Sequence, residues 1–371
     1  FGRDVLLPYC ALKNSHQPPL ASRRESEPLC HHQCYERPAG RSLSIPVIDA
    51  SALVTGDVGA RETLVREFGE AYRTVGFSYI VNHGVDTGLI SELFAASKRF
   101  HALPRAEKMA IELNAANRGF LPINSSMDVH TTLAEVTAPN QSESFIAMCE
   151  HSEDSPEVIA GDYLAGPNQW PALAGFASVV MEYHDAMCRL GRQMMGIAAE
   201  ALGADPDPIV AHFASPMASA RLLCYPQQPA DAPPGMFGSA PHLDFGCLTF
   251  LAQDDTGGLA VGTPSGKWIE VPPLDGAFVV NVGELLRRWS NGEFLSTPHR
   301  VINTSGRPRY SCPFFFDPHE STVITPLASC VGPDHPAAFD PVRCGDHLRS
   351  ELEAGFDHHK KLAALPHTER P

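Results

Sequence analysis

The chain has 371 residues, of which 43% are hydrophobic and 19% charged. That is enough apolar material for a sizeable core, as one large domain or two closely packed ones, and too little charge for a disordered polypeptide. The 28 basic against 43 acidic residues give a formal charge of -15 with histidine neutral. This balance argues against a general phosphate-backbone binder, and so against nucleic acid as a partner.

No apolar run reaches the ~18–20 residues needed to cross a bilayer, so no membrane partner is expected. The longest runs, such as 276–282, are strand-sized. The first residues lack the basic, apolar and small-residue series of a secretory leader. Ten cysteines are scattered, several of them (Cys188, Cys224, Cys247, Cys312) inside apolar segments. They read as reduced, buried thiols of a cytoplasmic protein rather than a disulfide framework. Cys30-His31-His32-Gln33-Cys34 has no second Cys/His pair at finger-like spacing and reads as chance donors on a solvated tail.

In chain order, residues 1–40 are rich in Pro, Ser, Arg and His without periodicity, as in a disordered tail. A short strand is expected at 43–49. Leu64, Phe68 and Tyr72 form a stripe of spacing four, which predicts a helix over 62–74. A strand runs over 76–84 into a turn. A second helix covers 86–103 and stops at Pro104. Residues 114–135 look like loop, 141–148 like a strand and 151–171 like a surface loop. The longest helical pattern spans 173–202, is ended by Gly203, and is followed by Asp205-Pro206-Asp207-Pro208.

Beyond residue 215 the texture changes to short apolar runs separated by Gly, Pro and Asp: 220–225, 246–252, 258–261, 268–271, 277–282, 299–302 and 310–316. Such spacing predicts a mainly β architecture with flanking helices, a double-stranded jelly roll. The expected organisation is an N-terminal helical and β segment over 41–210 packed on the core. A jelly-roll core follows over 215–320, then a C-terminal extension over 321–371 with a helix over 344–365.

Residues 241–250 read as one strand with Gly246 as a bend. Residues two apart on a strand share a face, so His242 and Asp244 project together. His299 lies further along. Two imidazoles and one carboxylate are the ligand set of the facial triad of non-haem Fe(II) sites, which leaves positions open for substrate and oxygen. His-x-Asp is common, and seventeen histidines make chance pairings easy. On these three residues alone, metal binding and ordinary satisfied polar residues are equal readings.

Arg309 and Ser311 also share a strand face. An arginine turned inward among aromatics requires an anion, because an unpaired buried charge is costly. A small dicarboxylate supplies one: the guanidinium clasps a carboxylate with two parallel bonds, Ser311 adds a third, and Tyr225 is placed to add another. An internal salt bridge is the competing account of Arg309.

Several stretches then coincide with one family. They are Ile45-Pro46-Val47-Ile48-Asp49, Gly76-Phe77 through Asn82-His83-Gly84-Val85, Phe100-His101-Ala102-Leu103-Pro104, Arg118-Gly119-Phe120, and Gly166-Pro167-Asn168 with Trp170-Pro171. The His242/Asp244 stretch follows, with Gly257-Gly258-Leu259, Asn281-Val282-Gly283, Ser290-Asn291-Gly292, the 296–301 run and Arg309/Ser311. In this order the sequence resembles the isopenicillin N synthase-like group of 2-oxoglutarate- and Fe(II)-dependent oxygenases over about residues 43–345. Its texture is closer to the bacterial and fungal members, which points to secondary metabolism.

The resemblance implies that His242, Asp244 and His299 hold Fe(2+). It implies that Arg309 and Ser311, assisted by Tyr225, hold the far carboxylate of 2-oxoglutarate. It also implies O2 and a small molecule as the other reactants. The keto acid would be decarboxylated to succinate and CO2, coupled to hydroxylation, desaturation or cyclisation of the substrate. Two departures stand out: Leu223-Cys224-Tyr225-Pro226 replaces an Asn-Tyr-Tyr-Pro stretch, and Glu284 replaces an Asp. Substrate choice would lie in 117–131, 141–145 and the segment after 316, with Arg118 either a handle for an acidic substrate or a loop brace. The alternatives are an Fe(II) oxidase of the same fold that does not use the keto acid, and a non-catalytic metal-binding jelly roll.

Overall fold

A computed structural model describes residues 44–126, 134–229, 231–263 and 265–355. The expected tail, the 30–34 cluster, part of the 117–131 loop and the end of the C-terminal helix lie outside these residues. The elements run in chain order as β1 (Val47–Asp49), α1 (Ala52–Thr55), α2 (Val58–Thr74), β2 (Phe77–Val81), α3 (Thr87–His101), α4 (Arg105–Met109), β3 (Gly119–Leu121) and β4 (Glu143–Met148). Next come α5 (Pro156–Ala160), α6 (Phe176–Ala201), α7 (Pro206–Ala211), β5 (Met217–Tyr225), β6 (Ser239–His242), β7 (Leu248–Gln253), β8 (Leu259–Gly262) and β9 (Trp268–Glu270). The last are β10 (Phe278–Val282), α8 (Glu284–Trp289), β11 (His299–Val301), β12 (Arg309–Asp317), β13 (Val323–Ile324), β14 (Val342–Arg343) and α9 (Cys344–Gly355).

The strands form an eight-stranded sheet in the order β1-β2-β10-β7-β12-β5-β4-β3, a four-stranded sheet in the order β6-β11-β8-β9 and a two-stranded sheet of β13 and β14. The expected jelly-roll core is therefore present. Strands β1 to β4 of the N-terminal segment are hydrogen-bonded into the larger sheet alongside the core strands. Period-two alternation sends each strand's side chains to opposite sides. Along β5, Ala218, Ala220 and Leu222 join the apolar layer formed with the helices, while Leu223 and Tyr225 belong to a second layer with Leu259, Val261 and Val301 of the smaller sheet.

The helical layer has local causes. Asp57 caps α2 by accepting from Ala60 N–H, and Asp86 caps α3 by accepting from Gly88 N–H. Both orphan donors are thereby satisfied. The buried faces of α2 (Leu64, Phe68, Tyr72), α3 (Leu93, Ala96, Phe100) and α6 (Met187, Leu190, Met194) pack with Phe250, Phe314 and Phe316 of the sheet. Each such side chain contributes about 1.5–3 kcal/mol by leaving water. The rigid backing of the sheet comes from this layer.

The main difference from the sequence reading is at 241–250. The strand ends at His242 and a new one begins at Leu248, and the two halves belong to different sheets. The chain crosses from one sheet to the other through Asp244 and Gly246. The crossing is pinned by Glu284 N–H donating to Asp244 O (2.8 Å) and Gly283 N–H donating to Cys247 O (2.9 Å). At Gly283 a Cβ would stand 2.3 Å from Gly246 O, so only glycine permits this approach. The sequence reading also omitted the short elements α1, α4, α5, α7, α8, β3, β13 and β14, whose few residues carry too little periodicity to be seen. Among the described residues, no helix is long and apolar enough to cross a membrane.

Candidate active site

The His242 and His299 donors come from neighbouring strands. β6 and β11 pair antiparallel with His299 directly opposite His242, and the two rings lie 4.2 Å apart between centroids. Asp244 reaches the same point from the inter-sheet crossing. One donor atom of each of the three lies within 4.8 Å of the others. Both imidazole Nε2 atoms are 3.8 Å from Asp244 Oδ1.

The surroundings fix which atoms face inward. His242 Nδ1 is 2.7 Å from Ala240 O and His299 Nδ1 is 3.4 Å from Thr297 O. A carbonyl only accepts, so a neutral imidazole bonded this way carries its proton on Nδ1 and turns the Nε2 lone pair to the common point, as a metal ligand must. Asp244 Oδ2 accepts from Thr249 Oγ1–H (2.6 Å) and Asn281 Nδ2–H (2.7 Å), which leaves Oδ1 turned to the imidazoles. Burial works to raise the Asp244 pKa, but the His299 and His242 imidazoles and the bonds from Asn281 and Thr249 outweigh it and hold the group low. Phe77 packs edge-on against His299 at 5.3 Å.

Arg309 is 0% exposed. Its Nη1 donates to Ser311 Oγ (3.0 Å), its Nη2 to Gln253 Oε1 (3.2 Å), and its guanidinium carbon stands 4.9 Å from the centre of the Tyr225 ring. Among the described residues no carboxylate forms a salt bridge with it, and its Nε has no hydrogen-bond partner. The internal salt bridge considered for Arg309 is therefore absent there. Arg309, Ser311, Tyr225, His242, Asp244 and His299 all line one cleft between the sheets.

Arg118 is not a substrate handle. It is 1% exposed, and its guanidinium donates to Ala116 O, Leu164 O (2.5 Å) and Cys149 O (2.9 Å), bracing three loops. Burial lowers its pKa to about 10. Sequence reasoning missed Thr249, Asn281 and Gln253. Each is a polar residue at an inward position of an otherwise apolar strand, and that misfit was the available signal.

The chemistry of the donor set fits a divalent iron: two neutral nitrogens and one carboxylate on one side of a point. Beside them lies a buried guanidinium with no carboxylate partner among the described residues, and this combination on a mainly β fold is the arrangement a non-haem oxygenase requires. Residues 214–318 match the family described as the 2OG-Fe(II) oxygenase superfamily, and residues 45–173 match the one described as non-haem dioxygenase in morphine synthesis N-terminal. A 2-oxoglutarate-Fe(II) type oxidoreductase of Emericella nidulans is 36% identical over 84% of this chain and 90% of its own. Clavatol oxidase of Penicillium crustosum is 30% identical over 85% and 97%. A Neurospora crassa protein solved in complex with alpha-KG and thymine superposes with a TM-score of 0.73 at 28% identity, over 84% of this chain and 96% of that one. The chain belongs to the 2OG-Fe(II) oxygenase superfamily. It is an Fe(II)- and 2-oxoglutarate-dependent oxidoreductase whose other reactants are O2 and a small molecule.

Proposed function

We propose that His242 Nε2, Asp244 Oδ1 and His299 Nε2 hold the iron, and that Arg309 holds the far carboxylate of 2-oxoglutarate with Ser311, Gln253 and Tyr225 around it. The observation that carries the second assignment is the buried Arg309, which has no carboxylate partner among the described residues and whose Nε is unsatisfied. Such a charge costs several kcal/mol unless an anion completes it. The bound iron supplies oxidative decarboxylation of the keto acid and oxidation of a C–H bond.

The chain's own residues supply the rest. Thr249 and Asn281 stop the Asp244 carboxylate from rotating, and the carbonyls of Ala240 and Thr297 orient the imidazoles. Phe77, Leu223, Leu251, Leu259 and Val301 line the cleft and keep water from the reacting carbon. The substrate is a small molecule that is hydroxylated, desaturated or cyclised while succinate and CO2 are released. We place the enzyme in the cytoplasm, where the described cysteines, all free thiols, stay reduced.

The test uses two variants. Arg309→Ala should raise the KM for 2-oxoglutarate by at least tenfold while iron stays bound, since a bond to a charged group is worth about 1.5–3 kcal/mol. Asp244→Ala should lose tight iron retention. An unchanged keto-acid requirement in the first variant refutes the clasp. Wild-type iron content in the second refutes the ligand set.

A further inference from the structure

Strand β6 carries His242 at its end and lies at the edge of the smaller sheet. Among the described residues its only strand neighbour is β11. The N–H groups on its outer side therefore have no strand to bond. One of them belongs to Ala240, which is 0% exposed. A buried N–H without an acceptor is costly, so another group must stand in for the missing strand. That group is a side chain: Ala240 N–H donates to Asn140 Oδ1 at 2.9 Å.

Asn140 reaches this place because the 137–141 segment runs beside the chain that leads into β6. Thr137 N–H donates to Gly235 O (3.1 Å), and Gln141 N–H donates to Phe237 O (2.9 Å). The same asparagine also grips the 124–126 turn. Its N–H donates to Ser126 O (2.9 Å), its carbonyl accepts from Asn124 N–H (3.4 Å), and its Nδ2 donates to Ser126 Oγ (3.4 Å). Asn140 is buried, and it lines the cleft that holds His242, Asp244 and His299.

Ala240 passes this constraint on. Its carbonyl stands 2.7 Å from His242 Nδ1 and holds the neutral ring by its Nδ1 proton, so the place of that carbonyl sets the plane of the imidazole. Pro241 stands between the two. Its ring fixes φ and confines Ala240 to extended backbone, so a shift of Ala240 is transmitted rather than absorbed. This inference rests on the reading above, in which His242 Nε2 holds the iron. We propose that Asn140 is a positioning residue for that ligand: its side-chain oxygen holds Ala240 and thereby keeps the His242 lone pair aimed at the metal. Thr249 and Asn281 hold the carboxylate from the larger sheet, and Asn140 holds one imidazole from beyond the edge of the smaller one. The hydrogen bonds from Ser126 to Asn140, Asn140 to Ala240 and Ala240 to His242 run in series. A movement of the 124–126 turn is therefore felt at the metal.

The experiment is anaerobic Co(II) titration of the full chain, read by visible absorption, whose d–d bands report the number and geometry of the ligands. Asn140→Leu replaces the amide by an apolar group of similar size, Asn140→Ala removes it, and Asn140→Asp keeps the acceptor. The leucine and alanine variants should bind Co(II) about tenfold more weakly, with shifted bands. That is the lower end of what partners of metal ligands supply, because Asn140 acts one residue removed. The aspartate variant should restore the wild-type bands, with affinity at or above the wild-type value, since a carboxylate still accepts from Ala240 N–H. Near-UV circular dichroism checks the fold of each. A merely structural role would lower Tm and leave the affinity and bands of the folded protein unchanged, and that result overturns the proposal. An aspartate variant as weak as alanine overturns it too, as does loss of the fold in all three. His242→Ala is titrated in parallel. Wild-type Co(II) binding there would sink the ligand assignment instead, so the two failures are separable.

Discussion

Thr249 and Asn281 give the sharpest test of how the metal centre is held. Both donate to Asp244 Oδ2, at 2.6 and 2.7 Å, and both are buried. Hydrogen bonds to a charged acceptor are worth about 1.5–3 kcal/mol each. Their role is to hold Oδ1 on the imidazoles' side, so their loss is felt as a carboxylate that must be re-ordered when metal binds. Partners of this kind change metal affinity by about 10–100-fold, or roughly 1.4–2.7 kcal/mol. Thr249→Val removes one donor at nearly constant volume, and Asn281→Ala removes the other. Anaerobic Fe(II) titration should show each single variant weakened by that factor. The double variant should lose more than the sum of the two, because either donor alone still limits rotation and the sites share one oxygen. Wild-type affinity in both single variants would mean that the orientation of Asp244 does not matter to the metal, and the geometric argument would fail.

Other consequences concern stability. Asp317 is fully buried at the end of β12, where Cys247 N–H donates to its Oδ1 at 2.5 Å, and burial raises its pKa to about 7. A raised carboxyl pKa means that its contribution is fully present below its unfolded pKa near 4 and is lost as pH rises through about 7. Asp317→Asn keeps the acceptor and never ionises. In metal-free protein its unfolding free energy should gain on wild type by on the order of 4 kcal/mol between pH 4 and pH 8. A constant difference across that range contradicts this. Gly191 in the middle of α6 would place a Cβ 2.7 Å from the Phe316 ring, which is stacked on Phe213 at 4.9 Å. Helix propensity favours alanine there by about 1 kcal/mol, whereas overpacking a pinned ring costs about 1–3 kcal/mol. Gly191→Ala should therefore lower Tm, and a rise would show that the ring yields freely.

The sequence by itself determined the elements whose signal is local. The stripes at Leu64, Phe68 and Tyr72 and along 173–202 became α2 and α6, and the apolar runs after residue 215 became β5 and β7 to β12. It also singled out His242, Asp244, His299, Arg309, Ser311 and Tyr225, which the fold gathers in one cleft. Periodicity and residue type within a few positions suffice for this, because backbone geometry sets them. What tertiary structure alone decided is how distant segments meet. It ended the strand at His242 and carried Asp244 between two sheets on a turn held by Gly283 and Asp317. It buried Arg118 against the carbonyls of Ala116, Leu164 and Cys149, and it set Thr249 and Asn281 on one oxygen of Asp244. These are pairings across strand register and between chain segments far apart in sequence. No local pattern encodes them, since the partner of each polar group is chosen by which backbone is packed beside it.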